Sequence, residues 1–224
     1  MVPIDIVAAL ELDTCAFFVV LDDIYSKEEC DRLIRKSEYH GFNTYQTNKY
    51  GGIVNSPHVR NDLNLAIIDG FETFELWSRI KDHVPKYWTD NPVSGLHKNL
   101  RFNQYRPGQY FNAHVDSSYV DEQSSGASRI TVLLYLNDVA EGGQTRFFSV
   151  ESMKHIDIIP KPGRVVLFEH GLYHASLAVK QGVKYVLHTD VMYTKPQPLP
   201  TPRTLAYSPF TPFTANSSGP TGFD

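Results

Sequence analysis

His114-Val115-Asp116 sets an imidazole and a carboxylate two residues apart, and two further histidines, His170 and His174, come shortly before Lys184. Alternate residues of a β-strand project from one face, so the first pair can grip a single ion without bending the backbone. The third ligand must then arrive from a strand remote in sequence, which narrows the fold. Two packed sheets or a closed barrel bring such strands together. Two imidazoles and a carboxylate also leave coordination positions open, whereas a structural zinc site closes its shell. The set therefore reads as a working metal centre.

The texture around these residues agrees. From residue 99 onward, short apolar or alternating runs at 100–105, 129–137, 145–150, 164–169 and 183–193 are separated by Gly, Pro and Asn, the pattern of antiparallel β structure. Within 129–136, Thr131, Leu133 and Tyr135 share one face, and the other is wholly aliphatic, suited to packing beneath helices. Helical patterns come earlier. Ser26-Lys27-Glu28-Glu29 has the form of a capping box, and with Cys30, Leu33, Ile34 and Ser37 it predicts a helix over about 27–38. A second begins near Phe71, with Phe74, Trp77, Ile80 and Val84 as its apolar face and Pro85 as its limit.

The fold expected is α+β, a double-stranded β-helix of the jelly-roll or cupin-like type buttressed by N-terminal helices. One domain is expected over 1–195, with the buttress at 1–98 and the barrel core at 99–195. Seven of the fourteen prolines lie past residue 195, so 196–224 reads as a Pro-rich tail without chemistry. A chain of 224 residues, 42% of them hydrophobic, holds one full core and is short for two. A net charge of -4 with no long basic run gives no electrostatic reason to expect nucleic acid or a membrane surface as partner. Two cysteines, Cys15 and Cys30, make no disulfide framework, and the N-terminus lacks a basic leader pattern, so a soluble cytoplasmic protein is expected. Oligomeric state leaves no signal.

His-x-Asp is specific only in context, and here the context is extensive. Arg101-Phe102-Asn103-Gln104-Tyr105-Arg106-Pro107-Gly108-Gln109-Tyr110-Phe111 leads into it; Thr131 to Asn137, Gly142-Gly143-Gln144-Thr145-Arg146-Phe147, Pro160-Lys161-Pro162-Gly163-Arg164 and Lys184-Tyr185 follow in order. Together these segments resemble the 2-oxoglutarate- and Fe(II)-dependent dioxygenases, specifically the prolyl 4-hydroxylase catalytic-domain group. The resemblance is dense from about 100 to 193; before that only the early helix and Arg60-Asn61-Asp62 look similar.

Carried over by position, the resemblance implies that His114, Asp116 and His174 hold Fe(II), since the spacing to Lys184 fits the second of the two histidines. It implies that Lys184 holds the distal carboxylate of 2-oxoglutarate and that Tyr105 and Thr131 hydrogen-bond the same cosubstrate. Fe(II), 2-oxoglutarate, O2 and accessory ascorbate are the implied cofactors. His170 becomes a neighbour able to orient a ligand, and His188 a pocket wall. Arg60 and Arg129 stand where a substrate carboxylate or peptide backbone is held, or where a structural ion pair forms. The implied reaction is hydroxylation of an unactivated C–H with release of succinate and CO2, on a peptidyl proline or a free amino acid or small metabolite.

Two rival readings use the same residues. A sensor or cupin-type module that binds metal and 2-oxoglutarate without turnover would show a broken ligand or clamp, and none is broken. A zinc hydrolase would need a separate general base and would leave Lys184, Tyr105 and Thr131 unexplained. The remaining histidines read as surface or packing residues, and Gly142-Gly143 as a turn feature.

Overall fold

A computed structural model describes residues 10, 16–44, 47–49, 52–54, 58–121, 126–149 and 151–194. Helix α1 runs Lys27–His40 and helix α2 Gly70–Ile80. The longer strands are β1 (Phe18–Leu21), β2 (Leu63–Ile68), β3 (Asn91–Leu96), β4 (Asn99–Tyr105), β5 (Phe111–His114), β6 (Gly126–Tyr135), β7 (Thr145–Phe148), β8 (His155–Ile158), β9 (Val165–Glu169), β10 (His174–Ser176) and β11 (Lys184–Tyr193). The Pro-rich tail, Cys15 and residue 150 lie outside the described residues.

The capping box forms as its sequence dictates: Ser26 Oγ accepts from the Glu29 amide, and the Glu29 carboxylate accepts from the Ser26 amide. Gly41, with φ of 80°, ends α1 by donating to the Ser37 and Glu38 carbonyls. Asp69 caps α2. The second half of its expected face is kept: Ile80 and Val84 are buried and Trp77 packs against the core. The first turn differs, with Phe71 and Phe74 64% and 65% exposed and Glu72, Thr73 and Leu76 facing inward. Glu72 is buried against Arg32 and Lys36 of α1, which turns this end of the helix toward its neighbour with a charged residue in place of an aromatic one.

The strands form a large antiparallel sheet in the order β1-β9-β6-β11-β4-β2, with β3 also on β11, and a smaller one in the order β8-β7-β10-β5. Period-two alternation sorts the large sheet into two faces. Leu100 and Phe102 of β4, Ile130, Val132 and Leu134 of β6, Val165 and Leu167 of β9 and Leu187 and Val191 of β11 pack with Cys30, Leu33, Leu76 and Ile80 of the helices. The opposite face contributes Tyr135, Val166, Phe168 and Val186, which meet Phe147 and Ile158 of the small sheet. Phe147 contacts both Phe18 and Phe168 edge-on, at 4.8 and 4.9 Å between ring centroids. A bond from the Tyr135 hydroxyl to Thr145 Oγ1, 2.7 Å, ties the sheets across this layer. The arrangement is mostly strand and of jelly-roll character, and its polar site lies between the sheets.

Gly142 shows why a glycine is needed at the rim: its φ is +79°, and a Cβ there would stand 2.3 Å from the Ala178 carbonyl. No helix among the described residues is long and apolar enough to cross a membrane.

Candidate active site

His114 closes β5 and His174 opens β10, and the two residues are direct partners in the small sheet. Asp116 lies just past the end of β5 rather than on it; its amide donates to the His170 carbonyl at 3.0 Å, which anchors the turn. One ligand atom from each of His114, Asp116 and His174 falls within 4.8 Å of the others. His114 Nε2 is 3.6 Å from Asp116 Oδ1, and His174 Nε2 is 3.7 Å from Oδ2.

Both imidazoles are oriented by backbone. His114 Nδ1 donates to the Asn112 carbonyl at 2.7 Å and His174 Nδ1 to that of Leu172 at 3.0 Å. A carbonyl can only accept, so a proton sits on each Nδ1, and each Nε2 is left facing the carboxylate. Burial pushes the His174 imidazole down to about 4, so it is neutral at ordinary pH. Burial acts to raise the Asp116 carboxyl, but the surrounding His114, His188 and His174 and the Thr131 hydroxyl together hold it far below the usual carboxylate range. Two imidazoles and a carboxylate with convergent donor atoms fit a divalent first-row metal.

Asp116 is the end of a directional chain. Thr131 Oγ1 donates to Asp116 Oδ2 at 2.6 Å, so it accepts from His170 Nδ1 at 2.9 Å. His170 Nε2 then accepts from Ser128 Oγ at 2.8 Å, and Ser128 Oγ accepts from the Tyr119 amide at 2.8 Å. Neutral His170 suits this chain, and burial lowers its pKa. Thr131, expected to touch cosubstrate, therefore has its only hydroxyl proton on the carboxylate. His170 takes the orienting place expected of it.

A buried cation packs near Tyr105, which lines the same cavity as His114, Asp116 and His174. Lys184 is 1% exposed, and its one hydrogen bond among the described residues goes from Nζ to Thr145 Oγ1, 3.2 Å. It is the register partner of Tyr105, and the rings of Tyr105 and Tyr135 flank Nζ at 5.3 and 5.4 Å from their centroids. Burial pushes the ammonium down to about 7, opposed by the charge of Asp62. An ammonium so poorly solvated is a strong site for an incoming carboxylate. Thr145, overlooked in the sequence, belongs to this group, and its place directly after Gly142-Gly143-Gln144 was the available signal.

The cavity beside the metal cluster has a volume of about 220 Å³. Tyr105, Leu133, Ser176 and His188 form part of its wall, as do two arginines, Arg60 and Arg101. Arg60 is spent on structure: Nε and Nη2 reach the buried Asp62 at 2.7 and 2.6 Å, and its guanidinium lies 3.9 Å over the Phe111 ring, which in turn stacks on His114. Arg129 is not on the wall. The ladder between β6 and β11 slips between Ser128 and Ile130, leaving Arg129 in a bulge. Arg101 stands on the wall instead, as the register partner of His188.

His114, Asp116 and His174 thus form a candidate two-histidine, one-carboxylate centre in a fold of jelly-roll character, the donor set a non-haem metal site would use. Residues 100–192 match the family model described as the 2OG-Fe(II) oxygenase superfamily. Over these residues the chain is similar to the 2OG-Fe(II) oxygenases, and its similarity to curated proteins is of prolyl 4-hydroxylase-like kind. The chain is 28% identical over 147 residues to a probable prolyl 4-hydroxylase 11 of Arabidopsis thaliana, covering 64% of this chain and 49% of that protein. It thus spans about half the length of the curated relatives it matches. Its fold is shared with the viral collagen prolyl hydroxylase of Paramecium Bursaria Chlorella virus-1 in its 2OG complex, at a TM-score of 0.58 and 20% identity over 79% of this chain and 96% of that one. A Trichoplax adhaerens prolyl hydroxylase, in complex with a hypoxia inducible factor peptide fragment, gives 0.59 and 18% identity over 80% and 83%. The family implies Fe(II), 2-oxoglutarate and O2.

Proposed function

We propose that this chain is a 2-oxoglutarate- and Fe(II)-dependent hydroxylase working as a single double-stranded β-helix domain buttressed by α1 and α2. The observation that carries the proposal is the convergence of three ligand groups, His114, Asp116 and His174, in a cavity whose wall residue Tyr105 lies near the buried ammonium of Lys184. Bound iron would supply the activation of O2. One oxygen atom then enters the C–H bond of the substrate, the other ends in succinate, and the 2-oxo acid loses CO2, so that atoms and electrons balance.

The chain's own residues divide the work. His114, Asp116 and His174 would hold the metal, which would supply Lewis acidity and redox chemistry there. Lys184 receives the distal carboxylate of 2-oxoglutarate, with Thr145 and Tyr105 around it, and the position of that cation sets how the cosubstrate enters. Thr131 and His170 keep the Asp116 carboxylate pointed and fully ionised. Aromatic and aliphatic side chains exclude bulk water. Substrate is a peptidyl proline or a free amino acid or small metabolite, and ascorbate serves as an accessory reductant.

The test is succinate release from 2-oxoglutarate in air. Wild-type protein should need added Fe(II), and His174→Ala and Asp116→Ala should lose turnover with unaltered circular dichroism. Metal-independent turnover, or full activity in either variant, contradicts the proposal.

A further inference from the structure

A second cavity, of about 300 Å³, opens beside the first, and the two share Arg101, Ser117 and Asp190 as a common wall. Across β4 and β11 the register opposes Arg101 to His188, and β6 opposes Thr131 to Asp190, so the two charged residues of this wall stand on strands. Arg101 uses a single nitrogen, Nη2, for His188 Nε2 at 2.9 Å and Asp190 Oδ2 at 3.0 Å. Among the described residues its Nε and Nη1 groups meet no acceptor, and the side chain is 42% exposed. Arg60, by contrast, spends Nε and Nη2 on one carboxylate. Asp190 is buried, yet it lines both cavities and carries its charge 3.5 Å from His188 Nε2. The second cavity is also lined by a ring pair, His97 against Tyr119, 4.1 Å between centroids.

Resting on the hydroxylase reading, we infer that this shared wall is the prime-substrate site and that the substrate is a free amino acid, its carboxylate on Arg101 and its ammonium turned to Asp190. A wall carrying one fixed cation and one fixed anion complements a ligand bearing both charges. An internal residue of a peptide carries neither, and would leave the guanidinium edge without a partner. His97 and Tyr119 would border the substrate's apolar part. Tyr119 is also the first donor in the chain that ends on Asp116, so substrate contact and metal-ligand orientation meet at one residue.

The experiment uses the full chain with Fe(II) and 2-oxoglutarate, reading succinate formation with each free protein amino acid, with its carboxamide and N-acetyl forms, and with a proline peptide blocked at both ends. At least one free amino acid should stimulate turnover, and masking either charge should abolish the effect. Arg101→Gln should raise KM for that amino acid about tenfold, the usual cost of a lost charge-assisted bond. Arg101→Lys, which keeps the charge, should recover part of that loss and guards against a variant that merely misfolds. Stimulation by the blocked peptide alone, or unchanged KM in both variants, overturns the inference. So does silence across the panel when calorimetry shows 2-oxoglutarate binding to the Mn(II)-loaded protein. No such binding by the wild type would instead bring down the hydroxylase reading, and this inference with it.

Discussion

The two faces of β6 differ in kind. Toward the helices, Ile130, Val132 and Leu134 are fully buried among aliphatic side chains. Toward the small sheet, Thr131 bonds Asp116 and His170, Leu133 lines the cavity, and Tyr135 reaches Thr145 beside Lys184. One strand thus carries cohesion on one side and chemistry on the other, separated by the thickness of a backbone. The lesson is that stability and activity should be separable by parity along this strand, and substitutions can break or sharpen that division.

The largest effect is expected on the helix side. Leu134→Ala should destabilise the fold by about 2–5 kcal/mol, as removing a buried leucine leaves a cavity. Chemical denaturation would register it, while kcat of the remaining folded protein should stay near wild type. A large loss of kcat in folded protein would mean the two faces are coupled.

On the site side the reverse is expected. Lys184→Met should raise KM for 2-oxoglutarate by about a hundredfold or more, because a buried carboxylate would lose its cation. The same variant should not lose stability, since a desolvated ammonium is replaced by an isosteric apolar chain. The pH dependence sharpens this. Lys184 titrates near 7 when folded against an ordinary value of 10.5, so between these limits the unfolded chain holds a proton that the folded one lacks. Stability of the ligand-free protein should therefore rise with pH from about 7 to 10.5 on this residue's account, and Lys184→Met should remove that rise in urea titrations across the window.

Thr131→Val should act on both properties moderately. It strips a donor from Asp116 and an acceptor from His170, at a cost of about 1–3 kcal/mol, with metal affinity falling about tenfold. Competition with a metal-sensitive dye would measure the latter, and wild-type affinity would remove Thr131 from the orienting role. The smallest effect belongs to neither face: Phe71→Ser on the exposed side of α2 should change stability by less than about 0.5 kcal/mol. A larger loss would show that the outer aromatic stripe is covered in solution.

Much of this division could be read in the residues before any coordinates. Period-two alternation in 129–136 separated the aliphatic from the polar-dotted face, the capping box placed the start of α1, and His114, Asp116 and His174 converge in space as their pattern suggested. What escaped reading depends on tertiary context. The spacing of Phe71, Phe74, Trp77 and Ile80 resembles a core stripe, and Trp77 and Ile80 do reach the core, but in the first turn Phe71 and Phe74 are exposed and a buried Glu72 paired with two α1 cations faces inward instead. Arg129 looked like a pocket arginine because a bulge at that point leaves no mark in composition. Arg101 could have been found, since it shares parity with Tyr105 on β4 and both reach the cavity.

The most direct test of the central claim is an anaerobic calorimetric titration of the metal-free chain with Fe(II), repeated on Asp116→Ala. One ion per chain in the wild type, with binding lost in the variant while its circular dichroism is unaltered, is the predicted result. Equal stoichiometry and affinity in both proteins would contradict a metal centre built on His114, Asp116 and His174.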